Sequence, residues 1–377
     1  IALTALRFGG TGPRGIIAAF MAIAAVMSMW VSNSATAVMM VPIAISVATL
    51  AGTRKDDPFA VCLMLGIAYA ASVGGIGTII GTPPNTLLVG YLRDNLGIQI
   101  SFARWMLVGV PLVVVFVPLI WLYLTRIAFP VGREPLAGGA ALIRRELEAL
   151  GPMKRGELVT MIVFLITAIT WLFRPLLIQI ELPVGDGVRP LGGLTDASIA
   201  MAGALVLFVI PVNAKERVFV MDWDTARRLP WGILILFGGG LSLAGAMQRH
   251  GAAEFIGYQA SGLGGLPTVL VIVCIVAAVI FLTEFTSNTA TTATLLPILG
   301  GLAPSLGIDP LLLAVPAAIA ASCAFMMPVA TPPNAIVFGS GRVTIPQMAK
   351  AGLWINLMGI VLVTGLAYAL VVPLLIG

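Results

Sequence analysis

A polar tetrad recurs in two versions inside sequence that is otherwise apolar enough for hydrocarbon. The first version is Ser32-Asn33-Ser34 followed by Thr82-Pro83-Pro84-Asn85, and the second is Ser287-Asn288-Thr289 followed by Thr331-Pro332-Pro333-Asn334. Asn33 and Asn85 lie 52 positions apart, Asn288 and Asn334 46 apart. A single Ser-Asn-Thr carries no information. Two polar motifs in the same order at nearly the same spacing mark an internal repeat. Helix breakers at matching places in two apolar halves are the sequence pointer to a binding site shared between those halves.

The chain has 377 residues, of which 59% are hydrophobic and 10% charged. So few charges cannot cover a soluble domain of this hydropathy, which places it among all-α polytopic membrane proteins. Apolar stretches long enough to cross, or to enter and return, are Ile16 to Val31, Ala35 to Leu50, Pro58 to Ile80, Met106 to Tyr123, Leu158 to Leu172, Ala197 to Val212, Trp231 to Met247, Thr268 to Phe285, Thr289 to Leu302, Leu311 to Pro328 and Gly352 to Leu375. Cys62, Cys274 and Cys323 fall inside these stretches without metal or disulfide spacing, and read as small core residues. The net charge of +5 belongs to basic residues scattered between apolar segments, which speaks for membrane orientation and against nucleic acid.

If Ile16–Leu50 is a hairpin that returns to its side of entry, and Thr268–Leu302 is a second one from the opposite side, 16 of the 21 Lys and Arg fall on one face. They run from Arg7, Arg14, Arg54 and Lys55 through Arg126, Arg133, Arg144, Arg145, Lys154, Arg155, Lys215, Arg217, Arg227 and Arg228 to Arg342 and Lys350. Arg93, Arg104, Arg174, Arg189 and Arg249 fall on the other. By the positive-inside rule the rich face is cytoplasmic and the C-terminus lies outside. The expected architecture is therefore a pair of inverted-topology repeats with opposed re-entrant hairpins and broken helices. The first repeat covers 1–128, a cytoplasmic linker with a short amphipathic helix around Glu146 and Glu148 covers 129–156, and the second repeat covers 157–377. Only 31 residues precede Ser32, so the repeat leads us to expect about a hundred further residues of scaffold helix before residue 1.

Paired prolines withhold amide donors and push the preceding residue out of the helical region, so each Thr-Pro-Pro is expected to break its helix and free the Gly81 and Ala330 carbonyls. Free carbonyls with Ser, Thr and Asn oxygens are hard ligands suited to Na⁺, and half-helix amino termini favour an anion. Single Ser, Thr and Asn side chains also serve as interhelical glue. Gly74-Gly75-Ile76-Gly77 and Gly238-Gly239-Gly240 read as close helix packing, since no strand precedes them as a nucleotide loop requires. Glu284 is the one acid placed inside an apolar segment, with Met29 as its counterpart in the first copy, and a functional and a structural role both fit it.

At these residues the chain resembles the divalent anion/sodium symporter family, which includes sodium-coupled dicarboxylate, tricarboxylate and sulfate carriers. The matching strings are Trp30 to Ala37, Gly81 to Asn85, Thr283 to Ala290 and Ala330 to Asn334. The resemblance implies an elevator-type homodimer in a bilayer, with a mobile transport domain beside a fixed scaffold, and a location in a bacterial inner membrane. It implies one Na⁺ site at Ser28, Ser32, Asn33 and Gly81 and a second at Thr283, Thr286, Asn288 and Ala330. It also implies substrate contacts from Ser32, Asn33, Ser34, Thr82, Pro83, Ser287, Asn288, Thr289, Thr331 and Pro332. Ser34 departs from the Thr usual in the family, keeping the hydroxyl and losing a methyl.

The expected activity is Na⁺-coupled symport of a small dicarboxylate such as succinate, malate or fumarate. Alternatives within the fold are a sulfate or tricarboxylate carrier, or an exchanger without Na⁺. No Arg or Lys stands at the motifs, so amides, hydroxyls, dipoles and bound Na⁺ must meet the anion's charge, which favours cation coupling. An intramembrane hydrolase would need a nucleophile with a base or a second buried acid, and the single histidine, His250, lies outside the apolar spans. A channel is the remaining class and is distinguished by its current. The expectation is thus a transporter and not an enzyme.

Overall fold

Residues 12–53, 57–132, 151–181, 189–229, 231–252, 255 and 265–376 are described by a computed structural model. The amphipathic helix expected around Glu146 and Glu148 lies outside them, as do Arg7, Arg54, Lys55, Arg133, Arg144 and Arg145.

The chain divides into two compact units. One holds residues 1–100, 105–148 and 236–377; the other holds 101–104 and 149–235. The first unit opens with α1 (Pro13–Ser28), started by Pro13 at its first turn, and α2 (Asn33–Leu50), joined by a four-residue turn. At ~1.5 Å per residue these helices of 16 and 18 residues fall short of the about 30 Å of a bilayer core. Asp57 then caps α3 (Pro58–Gly74) by accepting from the Phe59 amide at 2.9 Å. All of α3 from Phe59 to Gly74 is buried, as an all-round apolar helix must be. A short 3₁₀ turn (Gly75–Gly77) and a further turn over 78–82 lead to α4 (Pro83–Leu96), followed by α5 (Phe102–Tyr123), most of which this unit contains and which continues through a π turn (Leu124–Ala128).

The same unit resumes with α9 (Gly232–Arg249), most of which it contains, then α10 (Thr268–Thr283) and α11 (Asn288–Ser305), again joined by a four-residue turn. Asp309 caps α12 (Pro310–Ala320) by accepting from the Leu311 amide at 2.8 Å, the counterpart of Asp57 before Pro58. An irregular stretch, 321–331, leads to α13 (Pro332–Gly339), and α14 (Ile345–Leu366) runs on into a π segment (Ala367–Ile376). Packing crosses between the halves: α2 and α3 lie against α13, while α11 and α12 lie against α4. Arg342 strengthens that crossing, donating to Thr49 Oγ1 at 2.9 Å and Thr53 Oγ1 at 3.3 Å at the end of α2.

In the second unit α6 (Arg155–Leu177) packs on α7 (Asp196–Val209). Arg174 pairs with Asp196 at 2.7 Å, and Trp171 donates to the Asp196 carbonyl at 2.9 Å. The antiparallel strands β1 (Pro211–Asn213) and β2 (Val218–Phe219) and the short α8 (Trp223–Ala226) follow.

Four helices among the described residues are long and apolar enough to cross a membrane: 58–77, 102–128, 155–177 and 345–376. Several expectations need correction. The fold is not purely α, because Arg217 takes a left-handed turn that lets the polar 213–218 segment close a small β hairpin. The stretch Ala197–Val212 is not a full span, since α7 ends at Val209 after 14 residues, about 21 Å. Helix breaks come before the prolines, at Gly74 and Ala320, and Pro83 and Pro332 instead start new helices. Cys274 is exposed, unlike the buried Cys62 and Cys323. Gly74 packs its backbone against Ala25 and Gly240 meets Ala293, but Gly238 and Gly239 face open space.

Candidate functional site

Each hairpin turn is closed by one hydroxyl and one carboxamide five residues apart. In the first, Ser28 is the last residue of α1 and Asn33 the first of α2, and Ser28 Oγ lies 2.6 Å from the Asn33 carboxamide. In the second, Thr283 ends α10 and Asn288 starts α11, with Thr283 Oγ1 2.8 Å from Asn288 Oδ1 and 3.1 Å from the Ala321 carbonyl. Ser28 and Thr283 are fully buried.

One edge of the Asn33 carboxamide faces oxygens and the other faces donors. Turned one way, its nitrogen donates to the Gly81 carbonyl at 3.2 Å, the Ala71 carbonyl at 3.3 Å and Ser28 Oγ at 2.6 Å. Turned the other way, Oδ1 joins those oxygens and the cluster holds acceptors around a single hydroxyl proton. Such a cluster of neutral oxygens is what a hard monovalent cation needs. No group of three or more His, Cys, Asp or Glu among the described residues offers a transition-metal site.

The expected Na⁺ ligands Ser28, Asn33 and Gly81 are thus brought together, and so are Thr283 and Asn288. Ser32 is exposed and caps α2 by accepting from the Ala35 amide at 3.3 Å. The exposed Thr286 donates its hydroxyl proton to the Leu282 carbonyl at 2.9 Å, with Thr291 Oγ1 at 2.6 Å. Ala330 is buried, one residue before the Thr331 cap of α13.

The residues expected to touch an anion sit at helix starts. Asn33, Pro83, Asn288 and Pro332 are the first residues of α2, α4, α11 and α13, whose amide ends carry positive partial charge. Thr82 and Thr331 precede the prolines with φ near −143° and −141°, the extended conformation that a following proline imposes. Both are buried. Ser34, Pro83, Asn288 and Thr289 are half-buried, whereas Ser287 and Pro332 are exposed.

The ends of the two Thr-Pro-Pro-Asn motifs hold the loops in shape, a role the sequence left unread. Asn85 Nδ2 lies 2.7 Å from the Thr78 carbonyl, 3.1 Å from that of Gly75 and 3.3 Å from that of Ile76. Asn334 Nδ2 lies 3.0 Å from the Met327 carbonyl and 3.1 Å from that of Ala324. Both asparagines are fully buried. The second helix after each loop also reaches in. Trp105 on α5 donates to the Ile76 carbonyl at 2.9 Å. A Cβ at Gly109 or at Gly352 would overlap the loop backbone at Ile76 or Phe325, so both positions need glycine.

Glu284 is the one buried charged side chain among the described residues. Its Oε1 accepts from the Phe325 amide at 2.8 Å, the Met326 amide at 2.9 Å and Asn356 Nδ2 at 2.7 Å, and its Oε2 accepts from the Met327 amide at 2.9 Å. Of the two roles open to it, this geometry supports the structural one.

The family described as the sodium:sulfate symporter transmembrane region matches residues 1–376. The sodium-dependent dicarboxylate transporter SdcS of Staphylococcus saprophyticus is 42% identical over 384 residues, covering 100% of this chain and 73% of the relative. SdcS of Staphylococcus aureus strain USA300 is 40% identical over 386 residues with the same coverage. Among solved structures, the crystal structure of the Alcanivorax borkumensis YdaH transporter superposes with a TM-score of 0.62 at 15% identity, over 97% of this chain and 79% of that one, a likeness of fold alone. These matches agree with a polytopic, mostly helical membrane protein whose relatives are named transporters and not enzymes. The chain belongs to the sodium:sulfate symporter transmembrane region family, within the divalent anion/sodium symporters.

Proposed function

We propose that this protein is a Na⁺-coupled carrier of small dicarboxylates such as succinate, malate or fumarate. The observation that carries the reading is the duplicated pairing of a helix-end hydroxyl with a helix-start asparagine, Ser28 with Asn33 and Thr283 with Asn288, each beside a broken helix. Relatives 40–42% identical along the whole chain are named sodium-dependent dicarboxylate transporters, which supports the same substrates here.

One Na⁺ is assigned to Ser28, Ser32, Asn33 and Gly81, and another to Thr283, Thr286, Asn288 and Ala330. The substrate is assigned to Ser32, Asn33, Ser34, Thr82 and Pro83 from the first half and Ser287, Asn288, Thr289, Thr331 and Pro332 from the second. In this reading the four helix starts face one pocket, so that each carboxylate takes donors from one half and needs no buried Arg. Segments 1–128 and 157–377 act as inverted repeats around the 129–156 linker, and the paired short helices α1–α2 and α10–α11 serve as re-entrant hairpins entering from opposite faces. Transport proceeds elevator-fashion within a homodimer in the bacterial inner membrane, with the C-terminus outside. The crossed packing of α2 and α3 on α13 and of α11 and α12 on α4 is consistent with one body built from both halves.

Sulfate is the second reading, because the family description names it. A competition panel decides between them: succinate displaces bound substrate far better than sulfate or citrate at equal concentration. Sulfate outcompeting succinate would overturn the dicarboxylate assignment.

A further inference from the structure

The two halves hold their unwound loops by different chemistry. In the first half, Met29 is the C-terminal cap of α1; its carbonyl accepts from Thr78 Oγ1, and Asn85 and Trp105 supply the other stitches. All are neutral. In the second half Glu284 occupies the place of Met29, and its carboxylate gathers the consecutive amides of Phe325, Met326 and Met327, with Asn356 of α14 as a fourth donor. Four donors face the two oxygens, the partners an acceptor-only carboxylate takes.

Those amides begin three residues before Pro328 and end three before Ala330. The same loop supplies the Ala321 carbonyl to Thr283, the neighbour of Glu284 in sequence. We propose that Glu284 is a positioning residue of the second cation site: by anchoring 325–327 it holds the loop that supplies the Ala321 carbonyl to Thr283, and it makes this site inequivalent to the first. The inference rests on the cation-coupled reading above.

The test is a Na⁺ titration of the purified full chain, followed by thermal shift at constant ionic strength with choline as replacement. Glu284→Gln can keep the three bonds to Oε1, but it turns an NH₂ toward the Met327 amide and removes the charge. The Na⁺ concentration for half the wild-type stabilisation should rise about tenfold or more, the loss expected of a charge-assisted bond. In double-mutant cycles the Glu284→Gln shift should be strongly non-additive with Thr283→Ala, and additive to within about twofold with Ser28→Ala. A generally loosened fold would couple to both alike, and that result overturns the proposal, as does a Glu284→Gln titration within about twofold of wild type. If Glu284→Gln does not fold, Asn356→Ala, which leaves the carboxylate and its three amides in place, should give a smaller shift, about threefold, with the same pattern of coupling; no shift there counts against it equally. A wild-type protein with no Na⁺ response would fail the cation-coupled reading itself and take this inference with it, whereas a responsive wild type with an unaltered Glu284→Gln fails the inference alone.

Discussion

Removing the carboxamide at Asn85 tests how the broken helix is held. Its buried nitrogen serves the carbonyls of Thr78, Gly75 and Ile76 at 2.7, 3.1 and 3.3 Å, with only two hydrogens to share among them. Asn85→Ala therefore forfeits two hydrogen bonds at a site with no exposure. At about 1–2 kcal/mol for each buried acceptor left without a donor, the cost is roughly 2–4 kcal/mol, less whatever water entering the cavity recovers. Asn85→Asp keeps the shape but points a second oxygen at the same carbonyls, so it should be worse than Ala. Thermal unfolding in detergent gives the stability change, and the Na⁺ dependence of uptake gives the effect on Gly81, which lies on the loop that Asn85 ties down. The expected order of stability is wild type, then Asn85→Ala, then Asn85→Asp, with weakened Na⁺ dependence in both variants. If Asn85→Asp matched Asn85→Ala or exceeded it, the donor role would be wrong.

Asn334→Ala should repeat this behaviour in the second half, measured by the same unfolding assay. Ser34→Ala and Thr289→Ala should each weaken dicarboxylate binding by about 1–2 kcal/mol, roughly five- to thirtyfold, in a competition assay. Gly352→Ala should destabilise the protein sharply, because its Cβ would overlap the Phe325 carbonyl, whereas Gly238→Ala, which meets nothing, should leave the melting temperature unchanged. A small membrane-permeant maleimide should label Cys274 in the folded protein and reach Cys62 and Cys323 only after denaturation.

Much of this was legible in the sequence, and the parts that were not share a cause. The Thr-Pro-Pro motifs showed that the helices are interrupted nearby, because proline acts on its own neighbours, but they were read as the breaks when they are the starts of α4 and α13, and the Gly74-Gly75 run, read as close packing, is also where α3 ends. The end of α12 at Ala320 had no such signal. Residues 317–324 read Ala-Ala-Ile-Ala-Ala-Ser-Cys-Ala, good helix formers. The helix stops there, and the loop beyond it has its 325–327 amides taken by Glu284, 41 to 43 positions away, a tertiary contact that local propensity cannot encode. Asn85 and Asn334 were visible as motif members, but which carbonyls they serve depends on the path of the loop. The matched Asp57-Pro58 and Asp309-Pro310 caps were readable as a further repeat signal and went unread.

We have proposed that Na⁺ drives dicarboxylate movement through a site made by both halves. Uptake of radiolabelled succinate into proteoliposomes with an imposed inward Na⁺ gradient tests it most directly. The account predicts concentrative uptake that disappears when choline or K⁺ replaces Na⁺, and that is lost in both Asn33→Ala and Asn288→Ala although each variant remains folded. Equal succinate uptake with and without the Na⁺ gradient, or wild-type Na⁺-dependent uptake by the double asparagine variant, would contradict it.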